Sequence, residues 1–365
     1  MTADDPRPVG SRSSRAHRIR AGFGGREGKV RLDRNEDPVG WPPELVAELS
    51  REITPEAHAA YPDPTLLIDR IARWTGRSVD EVLITNGSTE GLRLVFETFG
   101  DEGRAILRLD PTYSLYELYE SIEGLLSERV PYPADLSPPV EELLEAIAVG
   151  KPALVVVANP DQPTGVALSL DDLGRLAEAT SVAGSVLAVD EAYFMFGAPS
   201  ADGLLDHYDN VIVIRTFSKA FGLAGLRVGY VLAPGPLIDR LRRLEPAVPP
   251  STVSLMGGVW AIDHLDDARE RVARVVEGRS FLQDRLLEAG IRRVPSWGNF
   301  VLVPAPTTEA AGWVVAGARE RGYLIKGPLD VRPVGPCIRI TVGPRTLMEQ
   351  FWTDCSDVLR RLAVG

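Results

Sequence analysis

The chain has 365 residues, 44% hydrophobic and 25% charged, with a formal net charge of −11. That length suggests about two domains of an ordinary globular protein, with no apolar run of about eighteen residues to cross a membrane and an acidity that argues against non-specific nucleic-acid binding. Cys337 and Cys355 lie far apart and read as reduced thiols, and four histidines (His17, His58, His207, His264) lack ligand spacing, so no metal site is expected.

Residues 1–43 read as an arm and loop. They carry arginines but no apolar stretch of the secretory kind, and end at Asp37-Pro38-Val39-Gly40-Trp41-Pro42-Pro43. A helix is expected over 44–53, where Leu45, Val46, Leu49 and Ile53 share one face. Tyr61-Pro62-Asp63-Pro64 marks a turn. Next come a helix over 66–74, a strand over 82–85, a helix over 90–99 and a strand over 105–109. Apolar runs at 153–158, 186–189, 211–214 and 228–232 suit strands buried on both faces of a mainly parallel sheet. Helical patterns follow at 237–244 and 268–289. The remainder reads as strands at 300–303 and 338–342 with helices at 310–321 and 347–362. The expected class is therefore α/β, divided into an arm and loop (1–43), a large mainly parallel-sheet domain (44–240) and a smaller α+β domain (241–365).

The chemistry gathers around Thr216-Phe217-Ser218-Lys219-Ala220-Phe221-Gly222-Leu223-Ala224-Gly225-Leu226-Arg227. A lysine in a loop is ordinarily a solvated surface charge. Here it follows an apolar strand, and apolar surroundings free the neutral amine to condense with a carbonyl. Thr216, Ser218 and Arg227 are donors suited to a phosphate dianion. Upstream, Asp190 ends the strand Val186-Leu187-Ala188-Val189, with Tyr193 three residues on. A carboxylate there is either a loop cap or the partner of a protonated pyridine nitrogen, with Tyr193 reaching the ring's phenolic oxygen. Thr85-Asn86-Gly87-Ser88-Thr89-Glu90 leads from strand to helix, and a helix N-terminus is a ready phosphate site.

Together these segments resemble the fold-type-I pyridoxal-phosphate aminotransferases of class I and II, and within them the histidinol-phosphate aminotransferase branch. Leu32-Asp33-Arg34-Asn35-Glu36-Asp37-Pro38 is similar to that branch's N-terminal loop, Pro111-Thr112-Tyr113-Ser114-Leu115-Tyr116 to the segment whose tyrosine stacks on the ring, and Gly335-Pro336-Cys337-Ile338-Arg339-Ile340-Thr341 to the segment with the substrate-anion arginine. The likeness runs over about residues 30 to 362. It implies pyridoxal 5′-phosphate as cofactor and Lys219, Asp190 and Tyr193 as catalytic residues. Ser88, Thr89, Tyr113, Gln162, Thr216, Ser218 and Arg227 would bind the cofactor, with Tyr61 reaching across from a second subunit. Arg339, Asn35, Lys326 and Asn299 would bind substrate. A cytoplasmic homodimer acting on an amino donor and a 2-oxo acid is implied.

The sequence departs from the pattern at three places. In Asn159-Pro160-Asp161-Gln162-Pro163-Thr164-Gly165, Gln162 stands where the family carries asparagine. Lys326 takes the place of a second arginine, a point charge for a planar fork, and Thr89 that of an aspartate. The last two weigh against histidinol phosphate as substrate. The first keeps open another reaction on the same scaffold: decarboxylation, β/γ-replacement or cyclisation, or oxidation. A cofactor-bound regulatory module is disfavoured, since no helix-turn-helix pattern precedes residue 30. For Tyr116, Tyr119, Phe194 and Trp297, packing is the expected role.

Overall fold

The structure, a computed structural model, describes residues 24–100 and 103–363. Most of the expected arm, with His17, lies outside the described residues. Eleven strands are named in chain order: β1 Val30–Leu32, β2 Val82–Thr85, β3 Ile106–Asp110, β4 Ser127–Pro131, β5 Leu154–Ala158, β6 Val186–Asp190, β7 Val211–Thr216, β8 Gly229–Leu232, β9 Phe300–Pro304, β10 Tyr323–Val331 and β11 Gly335–Thr341.

Seven strands form one sheet in the order β2-β8-β7-β6-β5-β3-β4. The pairs β3–β4, β3–β5, β5–β6 and β6–β7 are parallel, and β8 alone runs against its neighbours β7 and β2. Every residue of β5 is buried. Its side chains divide with period two: Val155 and Val157 enter the larger core, while Leu154, Val156 and Ala158 enter a second core on the other face. Strands covered on both faces show no polar alternation, which explains the unbroken apolar runs.

The other sheet has the order β1-β10-β11-β9. β1 lies parallel to β10, and β10–β11 and β11–β9 are antiparallel. Its own core holds Val301, Val303, Ile338, Ile340, Val314 and Phe351. The chain passes between cores along the helix Leu265–Glu288, whose Ala268 and Val272 lie in the larger core and whose Leu282 and Leu286 lie in the smaller. The preceding helix, Thr252–Asp263, packs its Leu255, Trp260 and Ala261 into the larger core, although it falls after residue 240.

Three strands depart from the sequence reading. Residues 30–32 form β1 instead of a loop, because the edge of β10 offers a ladder that local sequence does not announce. β10 carries Gly327-Pro328, and its register shifts between Lys326 and Leu329, so its alternation is broken. β4 is the exposed edge of the large sheet, and only Val130 in it is buried.

Candidate active site

β2 through β7 run in one direction, so the loops after them meet along one edge of the large sheet, where open α/β sheets bind ligands. The loop after β2 turns at Gly87, whose φ of 74° falls in the left-handed region. A Cβ there would lie 2.5 Å from Arg227 Nη2, so the glycine leaves the guanidinium its place against the turn. The helix Ser88–Phe99 starts at once and aims its free N–H groups into the cavity. A side chain at Gly229 on β8 would meet Ser88 N at 2.8 Å, so that glycine also lets the helix end approach. Opposite, Thr216 Oγ1 donates to Ser218 Oγ (2.9 Å), and Arg227 Nη1 donates to the same oxygen (3.1 Å). Ser88, Thr89, Thr216, Ser218 and Arg227 thus share one wall of a cavity of about 1700 Å³. Helix dipole, hydroxyls and guanidinium suit a phosphate dianion.

Lys219 follows β7, and its Nζ donates to the carbonyl of Arg34 at 3.0 Å. Burial lowers its pKa to about 7; nearby Arg339 and Arg227 push the same way, while Glu36 opposes them. The amine is thus available in its neutral form near pH 7. Asp190, at the end of β6, is 3% exposed. Its Oδ2 accepts from Tyr116 Oη (2.8 Å) and its Oδ1 from the N–H of Ala192 (3.1 Å). Burial raises it to about 6 despite these bonds. A cation placed against it would restore the carboxylate, as a protonated ring nitrogen does. The next residue, Glu191, points away: it pairs with Arg215 at 2.8 Å behind the site and ties the ends of β6 and β7 together.

Tyr113 and Gln162 line the cavity on loops after β3 and β5. Asp161 joins the two loops. It is fully buried, and it accepts from Thr112 Oγ1 (2.7 Å), Tyr132 Oη (2.9 Å) and the N–H of Gln162 (2.6 Å). Tyr193 donates to Gln162 Oε1 at 3.1 Å, and burial pushes its phenol up to about 12.

The small sheet supplies the remaining wall. Arg339 on β11 faces the cavity beside Lys326, its ladder partner on β10. Arg339 Nη2 donates to the Asp33 carbonyl at 3.3 Å, while its buried Nε has no partner. A buried, half-satisfied guanidinium is suited to an incoming anion. Asp33, Arg34 and Glu36 complete the rim.

Three expected site residues lie elsewhere. Asn35 (1% exposed) and Asn299 (3% exposed) sit one layer behind the wall, where Asn299 Nδ2 donates to the Asn35 carbonyl at 3.1 Å. Tyr61 is 86% exposed and outside this chain's cavity. Tyr116, the partner of Asp190, was expected only to pack. Its i, i+3 spacing from Tyr113 on the helix starting at Ser114 was the available signal, and the ring–ring contact of 5.8 Å follows from it. Asp161 and Arg34 carried no signal, since one acts through buried bonds and the other through its backbone. Among the described residues no group of His, Cys, Asp or Glu is arranged to hold a metal, and no helix is long and apolar enough to cross a membrane.

Comparison with known proteins bears on this geometry. Residues 27–353 match the family model for aminotransferase class I and II. The histidinol-phosphate aminotransferase of Caldanaerobacter subterraneus subsp. tengcongensis is 33% identical over 337 residues, spanning 91% of this chain and 93% of that protein. The enzyme of the same name from Syntrophus aciditrophicus is 34% identical, covering 88% of this chain and 90% of its own. Among solved structures, histidinol-phosphate aminotransferase from Sinorhizobium meliloti in complex with pyridoxal-5′-phosphate superimposes with a TM-score of 0.81 at 26% identity, covering 92% of each chain.

Proposed function

The chain belongs to the aminotransferase class I and II family, and we propose that Lys219 is the residue that carries its cofactor and moves the proton. It is a pyridoxal 5′-phosphate-dependent transaminase of the fold-type-I α/β class, in the histidinol-phosphate aminotransferase branch. Bound pyridoxal 5′-phosphate supplies a carbonyl for amines and a ring that withdraws electrons from the substrate α-carbon. The dianion cradle, the buried Asp190 and the depressed Lys219 are the groups that this cofactor needs, so the residues present fit it.

With the cofactor bound, the Lys219 amine would be the base that takes the proton from the substrate α-carbon and the acid that delivers it to the cofactor carbon. Asp190, held by Tyr116 and the N–H of Ala192, would keep the ring nitrogen protonated. Tyr113 would hold the ring face. Gln162, its oxygen held by Tyr193, would serve the phenolic oxygen. Ser88, Thr89, Thr216, Ser218 and Arg227 would hold the phosphate. Arg339 grips the anionic end of the substrate, with Lys326 beside it. The substrate class is an anionic amino compound: an amino acid, or an amino alcohol phosphate or phosphonate such as histidinol phosphate, the compound in the relatives' names. Lys326 favours the less demanding anions, because an ammonium cannot bind two oxygens in a fork. The exposed Tyr61 is proposed to complete the phosphate site of a second subunit in a homodimer.

The placement of Lys219 between the phosphate cradle and Arg339 carries this reading. The test is amino transfer itself. Purified protein is supplied with a panel of amino acids, amino alcohol phosphates and phosphonates plus a 2-oxo acid, and the new amino acid is quantified. Transfer from an anionic donor of this panel, with a raised KM in Arg339→Ala, is expected. Release of carbon dioxide or peroxide with no new amino acid would overturn it. For the dimer, mixing Tyr61→Phe with Lys219→Ala protein should restore activity, since one site per mixed dimer regains both groups. No recovery would place Tyr61 outside the shared site.

A further inference from the structure

The hydroxyl of Tyr193 sits between two amides. Asn35 Nδ2 donates to it at 2.8 Å, and it donates to Gln162 Oε1 at 3.1 Å. The two ends of an amide have the same outline, so direction has to come from groups whose role is fixed. The backbone supplies one. The N–H of Asn35, which can only donate, is bonded to Thr341 Oγ1 at 2.9 Å. The Thr341 proton must then point elsewhere, and Asn35 Oδ1 accepts it at 3.1 Å. With Oδ1 accepting, Nδ2 is the end that faces Tyr193. Tyr193 accepts there, so its own proton goes to Gln162 Oε1. Gln162 is left with its NH2 as the free end, in the wall of the cavity, with no protein acceptor among the described residues.

Each link behind Gln162 is held in place. Thr341 is 0% exposed, Asn35 1% and Tyr193 5%. Asn35 takes a φ of 54°, in the left-handed region that asparagine tolerates better than most residues, and its carbonyl is tied by Asn299 Nδ2. Along the chain itself, Thr341 Oγ1, both ends of the Asn35 amide and Tyr193 Oη are each paired.

We propose that Thr341 and Asn35 are positioning residues that fix the direction of this chain, so that Tyr193 holds the Gln162 oxygen and Gln162 presents an N–H donor to the phenolic oxygen of the cofactor. This rests on the cofactor reading above. It also assigns a purpose to the longer amide at 162: the Tyr193 contact occupies its oxygen and leaves its nitrogen for the ring. Donors facing that oxygen favour its ionised form, so losing one moves the titration of the lysine-bound cofactor to higher pH.

The experiment is a pH titration of the absorbance of purified cofactor-loaded protein, without substrate. Thr341→Val keeps the volume and removes the hydroxyl. Its titration midpoint is expected to rise by about half to one pH unit, the size of one hydrogen bond. Gln162→Leu should rise comparably, and Thr341→Ser should stay at the wild-type value because the hydroxyl is kept. Asn35→Ala gives an independent reading in the same direction should Thr341→Val fail to fold. A folded Thr341→Val or Gln162→Leu protein with an unmoved midpoint would overturn the proposal, as would a Thr341→Ser midpoint displaced as far as that of valine. Failure of the cofactor reading looks different, since the wild-type protein would then show no lysine-dependent absorbance to titrate, and both would fall together.

Discussion

The two sheets contribute to one cavity by different means. The seven-stranded sheet gives its strand ends. Because its strands β2 to β7 point the same way, residues far apart in the chain (Ser88, Tyr113, Gln162, Asp190 and Lys219) arrive on loops at one edge. Both faces of that sheet are buried, so its interior is free to be apolar. The four-stranded sheet gives one face of one strand. Along β11, Arg339 and Thr341 look toward the site while Ile338 and Ile340 enter the small core. A change at a loop of the large sheet should therefore alter chemistry with little effect on folding. On β11, neighbouring residues should separate the two effects.

The largest expected effect is at Lys219. Lys219→Ala should lower turnover by about 10²–10⁴-fold or more, the share of a positioned acid–base group, and abolish the lysine-bound absorbance. Retained turnover would end the assignment. Asp190→Asn should lower kcat by about 10²–10³-fold, because a neutral amide no longer stabilises a protonated ring nitrogen; an unchanged kcat removes Asp190 from the chemistry. On β11 the comparison is sharpest. Arg339→Ala should raise KM by roughly 10–10²-fold, the worth of a charged hydrogen bond, with a normal denaturation midpoint. Its neighbour Ile340→Ala should do the reverse, costing about 2–5 kcal/mol in a denaturant melt while kcat is kept. If both variants lose stability alike, the two faces of β11 are not separate surfaces.

The smallest effect concerns pH. Lys219 has a pKa of about 7 when folded, against an ordinary 10.5. Below about pH 7 the amine is charged in both folded and unfolded chains, and its full burial cost is present. Between the two values the unfolded chain holds the proton and the folded one does not, so stability rises with pH. Lys219→Met should therefore stabilise cofactor-free protein most at acid pH, and the gain should shrink as pH climbs from about 7 toward 10.5. Thermal melts of both proteins across that window check the sign; a gain that grows with pH would contradict a buried, depressed lysine.

Much of this architecture is written locally. An apolar run of five residues buried on both sides, such as 154–158, needs no partner to be recognised, and neither do a glycine ahead of a helix start at 87–88 nor an aspartate closing a strand at 190. Such local signals are enough to locate the large sheet, the helix start at Ser88 and the loop that carries Lys219. What escaped depends on contacts distant in sequence. β1 exists because β10 offers an edge, although 290 residues separate Lys29 and Arg319, which are bonded beside the first paired positions. Asn35 and Asn299 read as substrate ligands, yet the ladder that brings Thr341 beside them turns them inward. Tyr116 read as packing, yet its hydroxyl bonds Asp190, 74 residues away in the chain. Residue type and spacing determined which groups exist and which element carries each. The direction of a hydrogen bond and the neighbour across a cavity were decided only when the chain closed, because both are properties of pairs that no local pattern encodes.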